Sequence, residues 1–149
     1  PGPGKSITAE VLRELAGKGQ KGNIFNLTKL ILGRKKEETL LLLDRLLDEG
    51  EEPLRILGFL IAAFRRLWLG REVWDETGNR QAVCRSCGVR YYQKEFMEQV
   101  RNFPPPAVPA FWRLMLEANT ALKGGEKSAR ITIERMVLKM MRSVSPERG

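Results

Sequence analysis

Pro53 to Leu69 reads Pro-Leu-Arg-Ile-Leu-Gly-Phe-Leu-Ile-Ala-Ala-Phe-Arg-Arg-Leu-Trp-Leu and carries no charge between Ile56 and Phe64. A proline suits the first helical position because its fixed φ is already helical, and Glu51 and Glu52 ahead of it complement the positive end of the helix dipole. Apolar side chains then point in every direction, the pattern of a helix buried among other helices. Arg55, Arg65 and Arg66 bracket an apolar run too short to span a bilayer, so the stretch predicts a core helix that stops near Gly70.

Working outward, the same logic yields helices on both sides. Ile24, Phe25, Leu27, Leu30, Ile31 and Leu32 predict a helix over 24–32 that ends at Gly33. Lys35 to Glu49 predicts a leucine-rich one, in which Leu40, Leu41, Leu42, Leu43, Leu46 and Leu47 form a broad face and Arg45 pairs by spacing with Glu49. Gly50 stops it, and a short connection makes it an antiparallel neighbour of the central helix. Gly70 to Asn79 reads as polar and turn-rich, with Trp74 a lone apolar anchor. An amphipathic piece follows over 80–87, then a helix from Tyr91 to Phe103 ended by Pro104, Pro105 and Pro106. Ala107 to Leu122 buries Phe111, Leu114, Met115, Ala118 and Leu122, and Ala129 to Arg142 buries Ile131, Ile133, Met136, Val137, Met140 and Met141. No stretch alternates with period two over a convincing length. The predicted fold is an all-α helical bundle of about six to eight helices.

At the N-terminal end, Thr8 caps a short helix that uses Val11, Leu12 and Leu15, and Gly17, Gly19 and Gly22 are expected to break it. A domain boundary is placed there: residues 1–23 as linker and last helix of a preceding domain, residues 24–149 as the main helical domain. Because the chain begins with proline, it is expected to be a piece of a longer one. Gly4, Lys5 and Ser6 echo the end of a phosphate-binding loop, but the required earlier glycine and strand are missing, so a linker is the reading adopted.

Composition narrows the chemistry. A chain of 149 residues with 42% hydrophobic content can build a real core. Histidine is absent, which removes the commonest general base and transition-metal ligand. Cys84 and Cys87 form a CxxC without the two further ligands a zinc site needs, so both read as small buried apolar groups, with a metal shared between two chains as the alternative. No carboxylate pair sits in an apolar setting suited to acid–base work. No catalytic residue, cofactor or metal is assigned, and with no secretory signal or membrane span the expected location is the cytoplasm.

The net charge of +8 is uneven: +2 over residues 1–23, +1 over 24–70, +1 over 71–106 and +4 over 107–149. Arg34, Lys35 and Lys36 place cations at a helix N-terminus, a mild misfit with the dipole that hints at a partner. Trp68, Trp74 and Trp112 are expected as core or interface anchors. Arg90, Tyr91 and Tyr92 come nearest to a base-stacking platform, although half-buried tyrosines at a helix start describe them more simply. The strongest basic group is Lys123, Lys127, Arg130, Arg135, Lys139 and Arg142, opposed only by Glu126 and Glu134. Arg135, Lys139 and Arg142 fall on one helical stripe, and Lys127 and Arg130 lie where a helix N-terminus also attracts phosphate.

Taken as a linear pattern, FNLTKLILGRKKEETLLLLDRLLDEGEEPLRILGFLIAAFRRL (Phe25 to Leu67) and LEANTALKGGEKSARITIERMVLKM (Leu116 to Met140) resemble the delta subunit of bacterial DNA polymerase III. That family has, in this order, an aromatic-led helix, a glycine-plus-basic turn, a leucine-rich helix and a Glu-Pro helix. Its closing helix and loop are matched here by Leu116, Glu117, Ala118, Leu122, Lys123, Gly125, Glu134, Arg135 and Leu138. CGVRYYQKEFMEQVRNF (Cys87 to Phe103) is similar to its middle segment. Asn119, Arg90 and Cys87 depart from an acid, a histidine and a leucine common there.

The resemblance covers about Thr8 to Met140. It implies that residues 1–23 end a lid-like second domain and that residues 24–149 form the collar, the oligomerisation domain of a clamp loader. As implied partners it gives the delta-prime and gamma/tau subunits, with primer–template DNA in the chamber beneath and no membrane. The sliding clamp would be reached only through a first domain absent from this sequence. The fragment would have no catalytic activity of its own, although the holoenzyme is a nucleotidyltransferase. Lys123, Lys127, Arg130, Arg135 and Lys139 are the candidates for the side nearest DNA. The alternative is a free-standing basic helical nucleic-acid binder that uses the Arg130–Arg142 helix. Exposed apolar patches favour assembly; salt-sensitive phosphate binding without a partner favours the alternative.

Overall fold

The computed structural model of the chain describes residues 19–125 and 128–144. They form seven helices: α1 (Gly19–Leu32), α2 (Lys36–Asp48), α3 (Pro53–Thr77), α4 (Arg80–Cys87), α5 (Gln93–Asn102), α6 (Val108–Lys123) and α7 (Ala129–Ser143). A 3₁₀ turn at Pro105–Ala107 links α5 to α6, and no strand occurs among the described residues. The all-α bundle is the predicted one. The expected helix at Thr8 and the Gly4–Lys5–Ser6 trio lie outside the described residues.

α3 is the central rod, packed against α1, α4, α5, α6 and α7. Glu52 is its N-cap with Pro53 at the first turn. Its buried face is Ile56, Leu57, Leu60, Phe64, Leu67 and Gly70. Phe64 lies 5.0 Å from Phe111 and 6.5 Å from Phe103, ring centre to ring centre, with Phe103 and Phe111 6.3 Å apart. All three rings are fully buried and tilted on one another, the arrangement aromatic quadrupoles prefer.

Two expectations about α3 are corrected. The helix does not stop at Gly70 but runs on to Thr77, where Gly78 at φ 59° ends it, so Trp74 is a helical residue packed on the core. A glycine within a helix costs about 1 kcal/mol in propensity. Here it is needed for approach: a Cβ on Gly70 would stand 2.9 Å from Val100 Cγ2 and 3.3 Å from Cys87 Sγ, so its absence lets α4 and α5 close on the rod. Nor is α3 enclosed all round. Leu54, Gly58, Ala62 and Leu69 are exposed, because the other helices cover only one side of it.

Other boundaries shift for local reasons. Gly19 begins α1 and Gly22 lies within it, so Gly22 does not act as a helix breaker, and Gly17 lies outside the described residues. Tyr92 at φ 57° is left-handed, which delays α5 to Gln93. α1 ends with Arg34, not Gly33, in the left-handed conformation (φ 56°); Arg34 N–H donates to Ile31 O and Lys35 N–H to Leu30 O. α4 is capped by Asn79, whose side chain accepts from Ala82 N–H, and α7 by Ser128, which accepts from Ile131 N–H. Polar staples complete the frame. Buried Gln99 on α5 donates to Phe25 O at 3.1 Å and accepts from the Thr28 hydroxyl at 2.8 Å, tying α5 to α1. Arg71 on α3 bonds Asp75 and reaches Phe103 O at 2.6 Å and Arg101 O at 3.2 Å.

The two mid-helix glycines of α3 therefore respond oppositely to one methyl group. Gly70→Ala is expected to lower the urea-unfolding free energy by about 1–3 kcal/mol through overpacking. Gly58 has nothing within 4 Å of its Cβ position, and Gly58→Ala should raise stability by about 0.5–1 kcal/mol. Equal effects of both would contradict the packing described.

Candidate functional site

The basic cluster divides once its surroundings are known. Arg135, Lys139 and Arg142 are exposed along one side of α7, opposite buried Ile133, Met136, Val137, Met140 and Met141. Ile131, expected inward, is half exposed on the same outer side. Lys123, at the end of α6, is exposed. Lys127 and Glu126 lie outside the described residues.

Arg130 is different. Its guanidinium forms ion pairs with Asp44 and with Asp48, the latter at 2.7 Å. Asp44 and Asp48 are four residues apart and so share a face of α2; together they form a fork that receives the guanidinium. The hydrogen bond that Arg130 donates to Asp48 raises its pKa, against the opposing effect of burial, and the charges of Asp44, Asp48 and Glu134 add to the rise. Arg130 thus fastens α7 to α2, and its charge is largely matched within the chain. The acidic pair is separated from it by more than eighty residues of sequence, which is why spacing alone gave no sign of it.

A second feature is apolar. Trp68 on α3 and Trp112 on α6 are half-buried neighbours with ring centres 6.1 Å apart. Leu116, one turn after Trp112 on the same side of α6, is 58% exposed. On α3, Ile61 precedes Trp68 by two turns on the same side, and Leu54 precedes Ile61 by two more; Leu54 is 37% exposed. The Trp112 indole N–H is buried without an acceptor among the described residues. Trp68 and Trp112, expected as anchors, thus mark a seam between α3 and α6 rather than the inner core. Apolar groups left partly open beside a packed seam, with Arg65 and Arg66 exposed on the same helix, match the composition of protein interfaces, in which Trp and Arg are enriched.

The cysteine pair is buried, Cys84 at 2% and Cys87 at 8% exposure, as the apolar reading expects. Cys87 Sγ donates to Arg66 O at 3.5 Å. Burial pushes the Cys87 thiol up to about 11 against the pull of Arg66, with Cys84 adding slightly, and burial likewise raises Cys84 against Arg80. No group of three or more potential metal ligands occurs among the described residues, and none of their helices is long and apolar enough to cross a membrane. Arg90 is exposed and Tyr91 half-buried, with Tyr92 37% exposed, so these three do not make an open stacking platform.

The described residues thus form an all-α bundle with an apolar seam left partly open between α3 and α6 and a basic stripe along the outer side of α7. The family model for the DNA polymerase III delta subunit, C-terminal domain, matches residues 21–140, and the chain belongs to that family. It is similar to DNA polymerase III subunit delta of Bacillus subtilis (strain 168), 22% identical over 142 residues, covering 95% of this chain and 41% of the relative. It is also similar in structure to the Bacillus subtilis DNA clamp loader delta protein, with a TM-score of 0.74 and 22% identity over 88% of this chain and 39% of that one. The chain therefore spans about two-fifths of the length of these relatives.

With its pKa near 11, Cys87 is on the order of a hundredfold poorer in thiolate than a free cysteine at neutral pH. Alkylation by iodoacetamide at pH 8 should be slow in the native chain and fast in denaturant. It should accelerate as pH rises toward 11, where ionisation favours the unfolded state and stability falls. Rapid native labelling at pH 7 would contradict the buried placement.

Proposed function

We propose that the chain is the collar of a clamp-loader delta subunit, which assembles with the delta-prime and gamma/tau collars so that the complete loader can place a sliding clamp on primed DNA. The open α3–α6 seam with Trp68, Trp112 and Leu116 is the observation that carries this reading, since a half-covered apolar face is stabilised when a partner removes it from water. Family membership supports it. In this reading the collar starts near residue 24, and residues 1–23 are assigned to the preceding lid-like domain. The chain acts by association and contributes no catalytic group; the chemistry of the holoenzyme lies in other subunits, and the whole operates in the cytoplasm.

Within that assembly, Lys123, Lys127, Arg135 and Lys139 are the candidates for facing DNA, through phosphate charge and without base readout. Arg130 is assigned a positioning role, holding the start of α7 against α2. The alternative, a free-standing nucleic-acid binder, draws on the exposed Arg135–Lys139–Arg142 stripe.

Native mass spectrometry of the chain mixed with delta-prime and gamma/tau collar regions tests the two. A defined hetero-assembly with one copy of this chain is expected, and Leu116→Glu should weaken it at least about tenfold while leaving the thermal midpoint nearly unchanged, because Leu116 contributes little to the core. A chain that stays alone with these partners, yet binds DNA with a steep salt dependence, would replace the collar reading with the alternative.

A further inference from the structure

Away from the α3–α6 seam, a cleft of about 1360 Å³ opens between the α1–α2 corner and the end of α5. It is lined by six cations, Lys29, Arg34, Lys35, Arg45, Arg71 and Arg101, against a single carboxylate, Glu38. Arg71 is matched by Asp75 and Arg45 by Glu49. The other four take part in no ion pair among the described residues.

Two of those four have a local reason to be cationic. Lys29 stands in the last turn of α1 and Arg101 in the last turn of α5, where positive charge complements the helix dipole. Arg34 and Lys35 have none. Arg34 adopts φ 56°, a conformation that favours glycine or asparagine and costs a side-chain-bearing residue about 1 kcal/mol or more. Lys35 is the N-cap of α2, makes no capping bond, and sets a cation against the positive end of the helix. Adjacent residues that both depart from the locally favoured type, on the rim of one cationic cleft, are what a binding role leaves behind.

The rest of the lining selects the ligand class. Leu41 is 69% exposed at the cleft, Pro105 is exposed and Pro104 half-buried beside it, and Leu42 and Val144 lie buried beneath them. The one aromatic residue in the lining, Phe103, is 1% exposed, so no ring is offered for stacking a base, as single-stranded nucleic acid would require. Cations around an open leucine complement carboxylates around an apolar anchor. Arg71, by holding Arg101 O and Phe103 O, fixes the wall that carries Arg101, so the cleft is preformed. We propose that this cleft binds an acidic peptide segment with interspersed large apolar side chains, supplied by a partner protein. The proposal stands independently of the collar reading, whose interface is the α3–α6 seam.

The test is fluorescence anisotropy of the 149-residue chain with a labelled peptide of about fourteen residues alternating aspartate and glutamate with leucine and phenylalanine. A lysine-for-acid version and an oligothymidine of similar length serve as competing probes. The acidic peptide should bind, and Arg34→Glu with Lys35→Glu should weaken it at least about tenfold, with Leu41→Ser about threefold. Arg135→Glu with Lys139→Glu should change it less than about twofold, since α7's outer stripe is not part of the cleft. Arg34→Gly separates binding from folding: relief of the left-handed backbone should raise the thermal midpoint while affinity falls. An acidic peptide that does not bind, or whose affinity ignores Arg34 and Lys35, overturns the proposal. So does oligothymidine binding that is tighter than the peptide's and is lost in Arg34→Gly, which would assign the cleft to nucleic acid.

Discussion

The fold depends on how closely other helices can approach one face of α3. Phe64 supplies the centre of that face, and Phe103 and Phe111 are brought onto it by the proline corner after α5 and by α6. Gly70 sets the approach distance two turns further on, against Val100 and Cys87. Because the core is gathered on that one side, the apolar residues of α3's outer side are left in the open. The same helix therefore accounts for both the core of the bundle and the apolar groups left open on its outer side.

The polar elements serve this arrangement. Gln99 and Thr28 satisfy one another and Phe25 O where α5 meets α1; an unmatched amide there would cost about 1–3 kcal/mol. Arg130 is held by two carboxylates of α2 where α7 begins. These ties join α5 to α1 and α7 to α2, and the seam at Trp68 and Trp112 and the cleft beside Arg34 are separate surfaces. One is apolar and suits the flat packing of related helices. The other is cationic around an exposed leucine and suits a charged, extended ligand.

Much of the architecture was legible in the sequence, because helix periodicity and punctuation are local signals. Pro53, the leucine run of α2, the triple proline and the methionine face of α7 each encode their element directly. What was not legible comes from contacts between residues far apart in the chain. Gly70 looks like a stop signal because locally it is one; only the proximity of Val83, Cys87 and Val100 makes it a packing position. Continuous apolarity in α3 suggested burial on every side, whereas the open side is a matter of which helices exist to cover it. The basic group near the C-terminus was visible as a cluster, but Asp44 and Asp48, which claim Arg130, sit on α2. The cleft joins residues near 26–45 to others near 99–105, and its oddest member, Arg34, is recognisable only from its backbone angle. Its neighbour Lys35 did show in the sequence as a cation at the wrong end of a helix.

The central claim is that α3 carries the core on one side and a docking face on the other. Hydroxyl-radical footprinting, with mass-spectrometric readout per residue, addresses it directly when applied to the chain alone and then with delta-prime and gamma/tau collar regions. The account predicts that Trp68, Trp112 and Leu116 react in the free chain and lose most of that reactivity in the assembly, while Phe64, Phe103 and Phe111 are protected in both. Unchanged labelling of Trp112 and Leu116 in a formed assembly would contradict it, and would show that α3's outer side is not where partners meet.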